Sequence, residues 1–296
     1  MGISILMEEA ILYTRESERV VVCGVCNHRC RIRNGQRGIC GVRENDEGLL
    51  NALNYGKAVS VSIDPIEKKP LFHFMPGTTT YSFATVGCNF KCDWCQNWEI
   101  SQSSKPNGLI MGSDISPEEH VARALDYGCP SISYTYTEPT IFIEYALDTM
   151  KVAREAGLKN VWVSNGYMTP EALDAIAPYL DAINIDFKGP DDAVYLRYCG
   201  GRAKFVMENL IAIKRLGIHL EITTLVIPEV NDRRDQLHAV AEFIAEEVGQ
   251  DVPWHISRFF PAWKMPQTPI TPIETLELAA GIGRDLGLEH IHIGNV

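Results

Sequence analysis

The sequence predicts an α/β protein, a partial TIM-like (β/α)6 barrel preceded by a small cysteine-containing β module. From residue 79 onward, β-branched and aromatic runs alternate with helix-start signals, which is typical of parallel strands joined by right-handed crossover helices. Six or seven such units are fewer than the eight of a closed barrel, so a barrel open on one side fits. We therefore divide the chain into a module with its linker, residues 1–75, and the barrel, residues 76–296.

The module is expected to contain short strands and a connecting loop. Residues 49–53 and 58–63 are two runs, rich in apolar residues, on either side of a turn at Asn54-Tyr55-Gly56, which predicts two strands. Residues 64–74 carry two prolines and a run of charges. This composition predicts a linker, or a loop folded over the barrel.

Seven stretches read as barrel strands, and the helices between them have clear start signals. The predicted strands are 80–86, 131–136, 161–164, 182–187, 219–227, 254–260 and 290–293. Ser116-Pro117, Thr169-Pro170 and Thr271-Pro272 each combine a hydroxyl residue suited to an N-cap with proline at the first helical position. Each therefore predicts the beginning of a helix.

Composition narrows the class of protein. The chain has 296 residues, a net charge of −11 and no block of Lys or Arg, which argues against nucleic acid or an anionic membrane as partner. No apolar run approaches the roughly 20 residues of a membrane span. Met1–Glu9 has no basic segment followed by an apolar core, so no signal peptide is expected. Nine cysteines in such a chain predict a reducing cytoplasm and metal binding, not disulfides.

Cys88, Cys92 and Cys95 form the most specific motif, at spacing C-x3-C-x2-C. They follow the first predicted barrel strand, at the end where α/β folds usually carry their sites. Three thiolates bind a soft metal centre and leave one position open. A four-iron cluster held in this way has one iron free for another ligand. The plain alternative is a redox-inert zinc knuckle or a chance cluster of cysteines.

A second group, Cys23, Cys26, Cys30 and Cys40, lies in the module. Four thiolates at these spacings could close a tetrahedral zinc site or hold an auxiliary iron–sulfur cluster, and four unligated thiols are the remaining reading. A small module buries little apolar surface and often needs a metal to fold. We expect a structural role, with zinc ahead of iron–sulfur.

The spacing of Cys88, Cys92 and Cys95, with the aromatic Trp94 before the last cysteine, resembles the radical S-adenosylmethionine (SAM) superfamily. The resemblance implies a [4Fe–4S] cluster whose fourth iron chelates SAM. It also implies reductive cleavage of SAM to a 5′-deoxyadenosyl radical that abstracts a hydrogen atom from a substrate. Such an enzyme needs an external one-electron donor, such as a flavodoxin or ferredoxin. Trp94 is then a residue of the cofactor site.

The same resemblance assigns Glu138 to the SAM-binding site. Superfamily members often carry a Gly-Gly-Glu-Pro-like stretch whose last polar residues hold the amino group of SAM, and Thr137-Glu138-Pro139 is similar. Tyr136 and Thr137 replace the two glycines. An ammonium beside the cluster would favour a carboxylate partner, which supports the assignment. Glu138 could equally be an acid that caps the following helix, and the two roles are compatible.

Further strand ends resemble the pyruvate formate-lyase activating enzyme branch. Ser164 and Asn165 follow one strand, and Asp186 and Lys188 end the next. In that branch these positions contact the methionyl and ribose groups of SAM. Apart from the resemblance, Asp186 and Lys188 could be a simple strand-end ion pair. His255, on the inward face of its strand by alternation, is a candidate contact for SAM or substrate, or else a core histidine.

Over most of its length the chain looks closest to the radical SAM component of a three-gene set that also encodes Memo-like and AMMECR1-like proteins. This match rests on Cys23 to Arg43, Asp64 to Phe74, Cys88 to Gln102 and Thr135 to Thr140. The resemblance makes those two proteins candidate partners. No motif names the substrate. The alternatives are an activase that acts on the backbone of a glycyl-radical enzyme and, from another class, a non-catalytic metal-binding scaffold.

Overall fold

The computed structural model describes residues 8–105 and 107–296, beginning with short strands of an N-terminal module. These strands are β1 (Glu8–Glu9), β2 (Tyr13–Ser17), β3 (Val20–Cys23), β4 (Arg31–Arg33), β5 (Arg43–Asp46), β6 (Leu49–Ala52), β7 (Lys57–Ala58) and β8 (Ser60–Pro65). Two antiparallel sheets result, in the orders β1-β6-β5 and β2-β3-β4. The expectation about a signal peptide concerns Met1–Glu9, most of which lies outside the described residues.

The centre of the fold is an eight-stranded sheet. Besides β8 it contains β9 (Thr79–Ala84), β11 (Ser131–Tyr134), β12 (Lys159–Ser164), β13 (Ala182–Asp186), β14 (His219–Val226), β15 (Trp254–Arg258) and β16 (Ile291–Gly294). The short β10 (Ser113–Asp114) pairs with β7 in a separate antiparallel sheet of two strands. The order of the central sheet is β16-β15-β14-β13-β12-β11-β9-β8, with every pair parallel except β8 and β9. All seven predicted barrel strands are present, and the predicted partial-barrel fold class is confirmed.

Helices connect successive parallel strands and cover the sheet. They are α1 (Trp98–Ser101), α2 (Pro117–Asp126), α3 (Ile143–Glu155), α4 (Pro170–Ile176), α5 (Asp192–Val194), α6 (Ala203–Arg215), α7 (Arg234–Phe243) and α8 (Ile273–Asp285). Shorter helical turns are 3-10 helices at Ile66–Lys68, Pro139–Phe142 and Ala177–Tyr179, and π-helices at Tyr195–Cys199 and Ile244–Val248. None of the helices in the described residues is long and apolar enough to cross a membrane.

Two of the three predicted helix starts are confirmed by their caps. Ser116 accepts the backbone N–H of Glu119 at 3.2 Å, and Thr169 accepts that of Ala172 at 3.2 Å. The third prediction is wrong in detail, because α8 begins at Ile273 and has no side-chain cap. The hydroxyl of Thr271 instead donates to the Val226 carbonyl at 2.6 Å, at the end of β14.

The strands predicted at 49–53 and 58–63 form, but they do not pair with each other. β6 pairs with β5 and β1, whereas β8 joins the central sheet beside β9. The chain from residue 60 thus already contributes to the central sheet, and the division at residue 75 remains a prediction. Alternation identifies a strand, but it does not select that strand's partner.

Residues 66–74, here called the strap, cross the amino ends of the parallel strands, as the loop prediction allowed. Ile66, Leu71 and Phe74 pack on Val161 and Ala182 near the starts of β12 and β13. The strap leads directly into β9, so it closes this end of the barrel and leaves the carboxyl ends of the strands for a site.

A buried ion pair holds the module against the barrel. The guanidinium of Arg43 donates to both carboxylate oxygens of Glu144 on α3, at 2.9 and 2.5 Å. Both side chains are almost fully buried. An isolated antiparallel β-bridge between the backbones of Cys26 and Met168 adds a second attachment, near the end of β12. The module is therefore positioned beside the carboxyl ends of the parallel strands.

Candidate functional site

Cys88, Cys92 and Cys95 lie on the loop between β9 and α1, at the carboxyl end of the sheet. All three side chains are half-buried. The loop begins with Gly87, whose φ of +100° is unfavourable for other residues. A Cβ at Gly87 would lie 2.8 Å from the Val42 side chain and 3.0 Å from the Cys40 carbonyl oxygen. The cysteine loop therefore packs tightly on the N-terminal module.

The three thiols have distinct polar contacts. Cys88 Sγ accepts the backbone N–H of Phe90 at 3.4 Å, and Cys95 Sγ lies 3.4 Å from the hydroxyl of Ser101. Burial raises the pKa of Cys88 and of Cys95, while a hydrogen bond with Cys199 and then burial raise the pKa of Cys92. The thiols therefore hold their protons at neutral pH, and a metal centre would displace them on binding.

Glu138 is the buried anion next to this loop. Its Oε1 accepts the N–H and hydroxyl of Thr140 at 3.1 and 2.5 Å and the hydroxyl of Ser164 at 2.8 Å. Its Oε2 accepts the backbone N–H of Asn165 at 2.8 Å. Burial raises the pKa of Glu138 although these bonds oppose the shift. Because each carboxylate oxygen offers about two acceptor positions, Oε2 retains one for a further donor.

Asn165 connects Glu138 with the cysteine loop. Its amide Nδ2 donates to Asn89 Oδ1 at 2.7 Å and lies 4.0 Å from Cys88 Sγ. The Nδ2 of Asn89 is itself buried and has no partner among the described residues. A buried donor without an acceptor is costly. A sulfide of a cluster, or a group bound to one, would satisfy this donor.

Asp186 is the last residue of β13, and Lys188 follows shortly after it. Lys188 Nζ lies 3.3 Å from Asp186 Oδ2, with the lysine buried and the aspartate half-exposed. Burial by itself lowers the pKa of Lys188, but the neighbouring carboxylate of Asp186 opposes burial, and the net shift is upward. Lys188 is thus a buried cation beside the cysteine loop, so the pair is more than an exposed ion pair.

The structure also places Trp94 at the loop. Its indole is buried against Tyr198, with ring centroids 5.8 Å apart. The loop backbone is held by the same segment, because Lys91 N donates to the Cys199 carbonyl at 2.9 Å and Asp93 N to that of Tyr198 at 3.2 Å. In this arrangement Trp94 supports the shape of the loop.

His255 is not brought together with these residues. Its Nε2 lies 2.6 Å from Glu221 Oε2, and its ring contacts Phe72 of the strap. Glu221 also accepts the backbone N–H groups of Phe72 and His73. His255 thus lies where the strap closes the amino ends of the strands, away from the cysteine loop, and this position favours the alternative of a core histidine over a contact with SAM. The alternation of side chains along β15 predicted that His255 lies on the inward face of the strand. It did not predict at which end of the barrel His255 lies.

Four of the residues with left-handed backbone lie at the opposite, carboxyl end of the sheet. Tyr136, Glu229, Trp263 and Asn295 have φ values of 63°, 66°, 44° and 61°, and each follows the end of a parallel strand. Left-handed conformations in residues other than glycine are costly and are enriched at functional sites. Sequence reasoning missed Tyr136 as a site residue, although its place in the glycine-like stretch was a usable signal.

The second cysteine group lies next to the first. Cys23, Cys26 and Cys40 are buried, and Cys30 is half-buried. Burial raises the pKa of all four thiols. The backbone N–H groups of Val25, His28, Ile39 and Val42 oppose this rise in pKa. Nearby amide donors of this kind would support thiolate ligands of a metal.

The chemistry of the donors fits an iron–sulfur cluster at Cys88, Cys92 and Cys95. Within residues 8–105 and 107–296, no three His, Cys, Asp or Glu side chains converge on the position of a single metal ion. In a four-iron cluster each thiolate binds a different iron, so convergence on one point is not required. Three thiols, the unpartnered Asn89 amide and the buried cation of Lys188 suit an anionic cluster.

Comparisons with known proteins agree with this geometry. A family model of the radical SAM superfamily matches residues 82–244. An uncharacterized protein of Methanocaldococcus jannaschii is 46% identical over 290 residues, which are 98% of this chain and 86% of the relative. A putative glycyl-radical enzyme activating enzyme of the same organism is 26% identical over 179 residues, covering 59% of this chain and 65% of the relative. A crystal structure of a radical SAM methyltransferase from Sphaerobacter thermophilus shares the fold, with a TM-score of 0.55 at 16% identity over 75% of this chain and 68% of that one.

Proposed function

This chain belongs to the radical SAM superfamily, and on that premise we propose that Cys88, Cys92 and Cys95 hold a [4Fe–4S] cluster that binds SAM. When bound and reduced, such a cluster supplies an electron that cleaves SAM to a 5′-deoxyadenosyl radical, which takes a hydrogen atom from the substrate. The observation that carries the proposal is the buried carboxylate of Glu138, which keeps one open acceptor position and is joined to the cysteine loop through Asn165.

The residues of the chain have separate tasks in this proposal. Glu138 accepts a hydrogen bond from the ammonium group of SAM. Burial of the site strengthens this charge-assisted hydrogen bond. Ser164 and Asn165 keep the carboxylate in place and line the methionyl group. Lys188 provides a cation beside the loop, and Asp186 faces the ribose from the half-exposed rim.

Electron supply and partners are further parts of the proposal. The half-buried thiols of the cysteine loop support a cluster near the surface, which a flavodoxin or ferredoxin would reach. Nine free cysteines suit a reducing compartment, and we place the protein in the cytoplasm. Memo-like and AMMECR1-like proteins remain candidate partners on the strength of the sequence resemblance. The metal at Cys23, Cys26, Cys30 and Cys40 is proposed to be structural, with zinc ahead of iron–sulfur. Zinc binding would have to draw the four thiols together, because in the described residues no three such side chains converge on one point.

A second candidate function is the activation of a glycyl-radical enzyme. The similarity to a putative activating enzyme of Methanocaldococcus jannaschii favours this reading of the same chemistry. The substrate would then be a backbone glycine of another protein, and the open side of the barrel would have to admit a chain segment. A non-catalytic scaffold is the alternative from another class, and it predicts no SAM cleavage at all.

The test is anaerobic reconstitution with iron and sulfide, followed by SAM and dithionite. We expect a [4Fe–4S] spectrum that changes when SAM binds, and formation of 5′-deoxyadenosine. A variant with alanine at Cys88, Cys92 and Cys95 should lose both. Cys129→Ala is the matched control, because Cys129 is buried at the amino end of the sheet, beside Thr79. If the triple variant still forms 5′-deoxyadenosine, the proposal is wrong.

A further inference from the structure

The interior of the open barrel is lined by hydroxyl groups on one side. Tyr81 and Phe83 of β9 turn outward, where both rings contact His120 of α2. Because side chains alternate along a strand, Thr80 and Ser82 face the interior. The hydroxyl of Thr80 lies 2.7 Å from that of Ser133 on β11. This side of the interior is therefore polar, beneath the strand ends that carry the candidate SAM site.

A fully buried ion pair lies in this interior. Asp64 of β8 and Lys69 of the strap have side chains only 3% and 2% exposed, and Lys69 Nζ lies 2.5 Å from Asp64 Oδ2. Burying both charges is expensive, and such a pair often stabilises a protein less than apolar residues would. A contribution to stability therefore does not explain why the chain buries an ion pair at this position.

Tyr136 connects the pair to the mouth of the barrel. Its hydroxyl donates to Asp64 Oδ2, and Lys69 Nζ lies 4.7 Å from the centre of its ring. Its carbonyl accepts the amide of Asn97, which follows the cysteine loop, at 2.7 Å. Tyr136 thus keeps the left-handed backbone of a glycine-like position while its side chain descends into the barrel. It spans the distance between the cysteine loop and the ion pair.

Counting donors and acceptors shows what the interior lacks. Asp64 accepts from Ser62, Lys68, Lys69 and Tyr136, which uses its four acceptor positions. Lys69 has three N–H donors, and in the described part of the chain its only hydrogen-bond acceptor is Asp64. The hydroxyl oxygens of Ser82 and Ser131 are also buried without partners among the described residues. Lys69 therefore lacks acceptors for the N–H donors that Asp64 does not use, and the two hydroxyls are able to donate to the same group.

We propose that Lys69, held by Asp64 and Tyr136, binds a carboxylate of a small substrate inside the barrel. Lys68 and Lys69 together carry one positive charge more than Asp64, which suits a group with a single negative charge better than a phosphate dianion. The hydroxyls of Ser82 and Ser131 provide further donors. That the bound molecule is the substrate rests on the proposed function, whereas the anion site itself does not. A small carboxylate in the interior also disfavours a protein backbone as substrate.

The test measures binding of acetate and pyruvate to the full chain by calorimetry, with acetamide as the neutral isostere of acetate. The expected result is binding of the two carboxylates but not of acetamide. In Lys69→Met, affinity should fall at least about tenfold, as expected for loss of a charge-assisted hydrogen bond. Lys151→Met is the matched control, because Lys151 also pairs with an aspartate but lies exposed on α3, and it should keep the affinity.

Removing Lys69 alone leaves Asp64 buried without its main counter-charge, which could unfold the chain. The variant Asp64→Asn/Lys69→Met removes both charges and should stay folded without carboxylate binding. Equal binding of acetate to this variant and to the original chain would overturn the inference, as would failure of the original chain to prefer acetate over acetamide. SAM cleavage is measured separately. Cleavage without carboxylate binding overturns only this inference, and carboxylate binding without cleavage overturns only the proposed function.

Discussion

The carboxylate of Glu138 accepts the backbone N–H of Asn165 at 2.8 Å, so one buried anion joins the ends of β11 and β12. The side chain of Asn165 then contacts Asn89, beside Cys88. Glu138 therefore does two things at once. It fixes the relative position of two strand ends, and it presents a negative charge next to the cysteine loop.

Glu138→Gln should weaken SAM binding by about 1.5–3 kcal/mol, because a hydrogen bond to a charged group is lost. Cluster iron content should not change, since no cysteine is affected. SAM affinity measured by calorimetry on the reconstituted protein checks this. Glu208→Gln is the control, because Glu208 lies exposed on α6. Unchanged affinity in Glu138→Gln would leave Glu138 with a purely structural role.

Replacing Cys23, Cys26, Cys30 and Cys40 with serine should remove the metal of the module and lower the melting temperature. Folding of a small module often depends on metal binding. SAM cleavage at the Cys88 cluster should remain measurable. Metal content per chain and SAM turnover are determined on the same samples. The loss of about four irons, instead of one zinc, would identify an auxiliary cluster and refute the structural-zinc prediction.

Glu221→Gln should flatten the dependence of stability on acidic pH. Burial alone would raise the pKa of Glu221, but the hydrogen bonds from His219, His255 and the strap outweigh burial and lower it from the usual 4.5. A carboxylate with a lowered folded pKa stabilises the protein above its unfolded pKa, and this contribution is lost as pH falls through the folded value.

The measurement is urea unfolding at neutral pH and at about pH 4, where a carboxylate with an unshifted pKa titrates. The unsubstituted chain should lose stability on acidification, whereas Glu221→Gln should be less stable at neutral pH by about 1.5–3 kcal/mol and lose less on acidification. Glu208→Gln, an exposed glutamate of α6, should behave like the unsubstituted chain. Parallel pH curves for Glu221→Gln and the unsubstituted chain would show that Glu221 does not titrate in this way.

Arg43→Met should destabilise the protein by about 3–5 kcal/mol, because it leaves the buried carboxylate of Glu144 without its partner. Arg43→Met/Glu144→Leu should recover most of this loss. The exposed pair of Arg29 and Glu171 also links the module to the barrel, so Arg29→Met is the control, with an expected effect of about 0–1 kcal/mol. Equal effects of the two single substitutions, measured by urea unfolding, would argue against a special role for the buried pair.

Local patterns were enough to predict most of the fold. The seven parallel strands follow from runs of β-branched and aromatic residues, and the starts of α2 and α4 follow from Ser116 and Thr169 as N-caps. These signals act over a few residues and are readable without the rest of the chain. Thr271 shows the limit, since its hydroxyl bonds to a strand end that is distant in sequence. The strands predicted at 49–53 and 58–63 show the same limit, because they pair with different strands and not with each other.

The residues of the candidate site also divide into those that local sequence predicts and those whose contacts only the folded chain determines. Cys88, Cys92, Cys95 and Glu138 could be predicted because their spacing and neighbours are local. Long-range packing alone determined that His255 pairs with Glu221 at the closed end, and that Tyr136 reaches Asp64, 72 positions earlier in the chain. The reason is physical. Alternation specifies the face of a strand on which a side chain lies, but its partner depends on how the barrel brings distant segments together, and only the folded chain determines that.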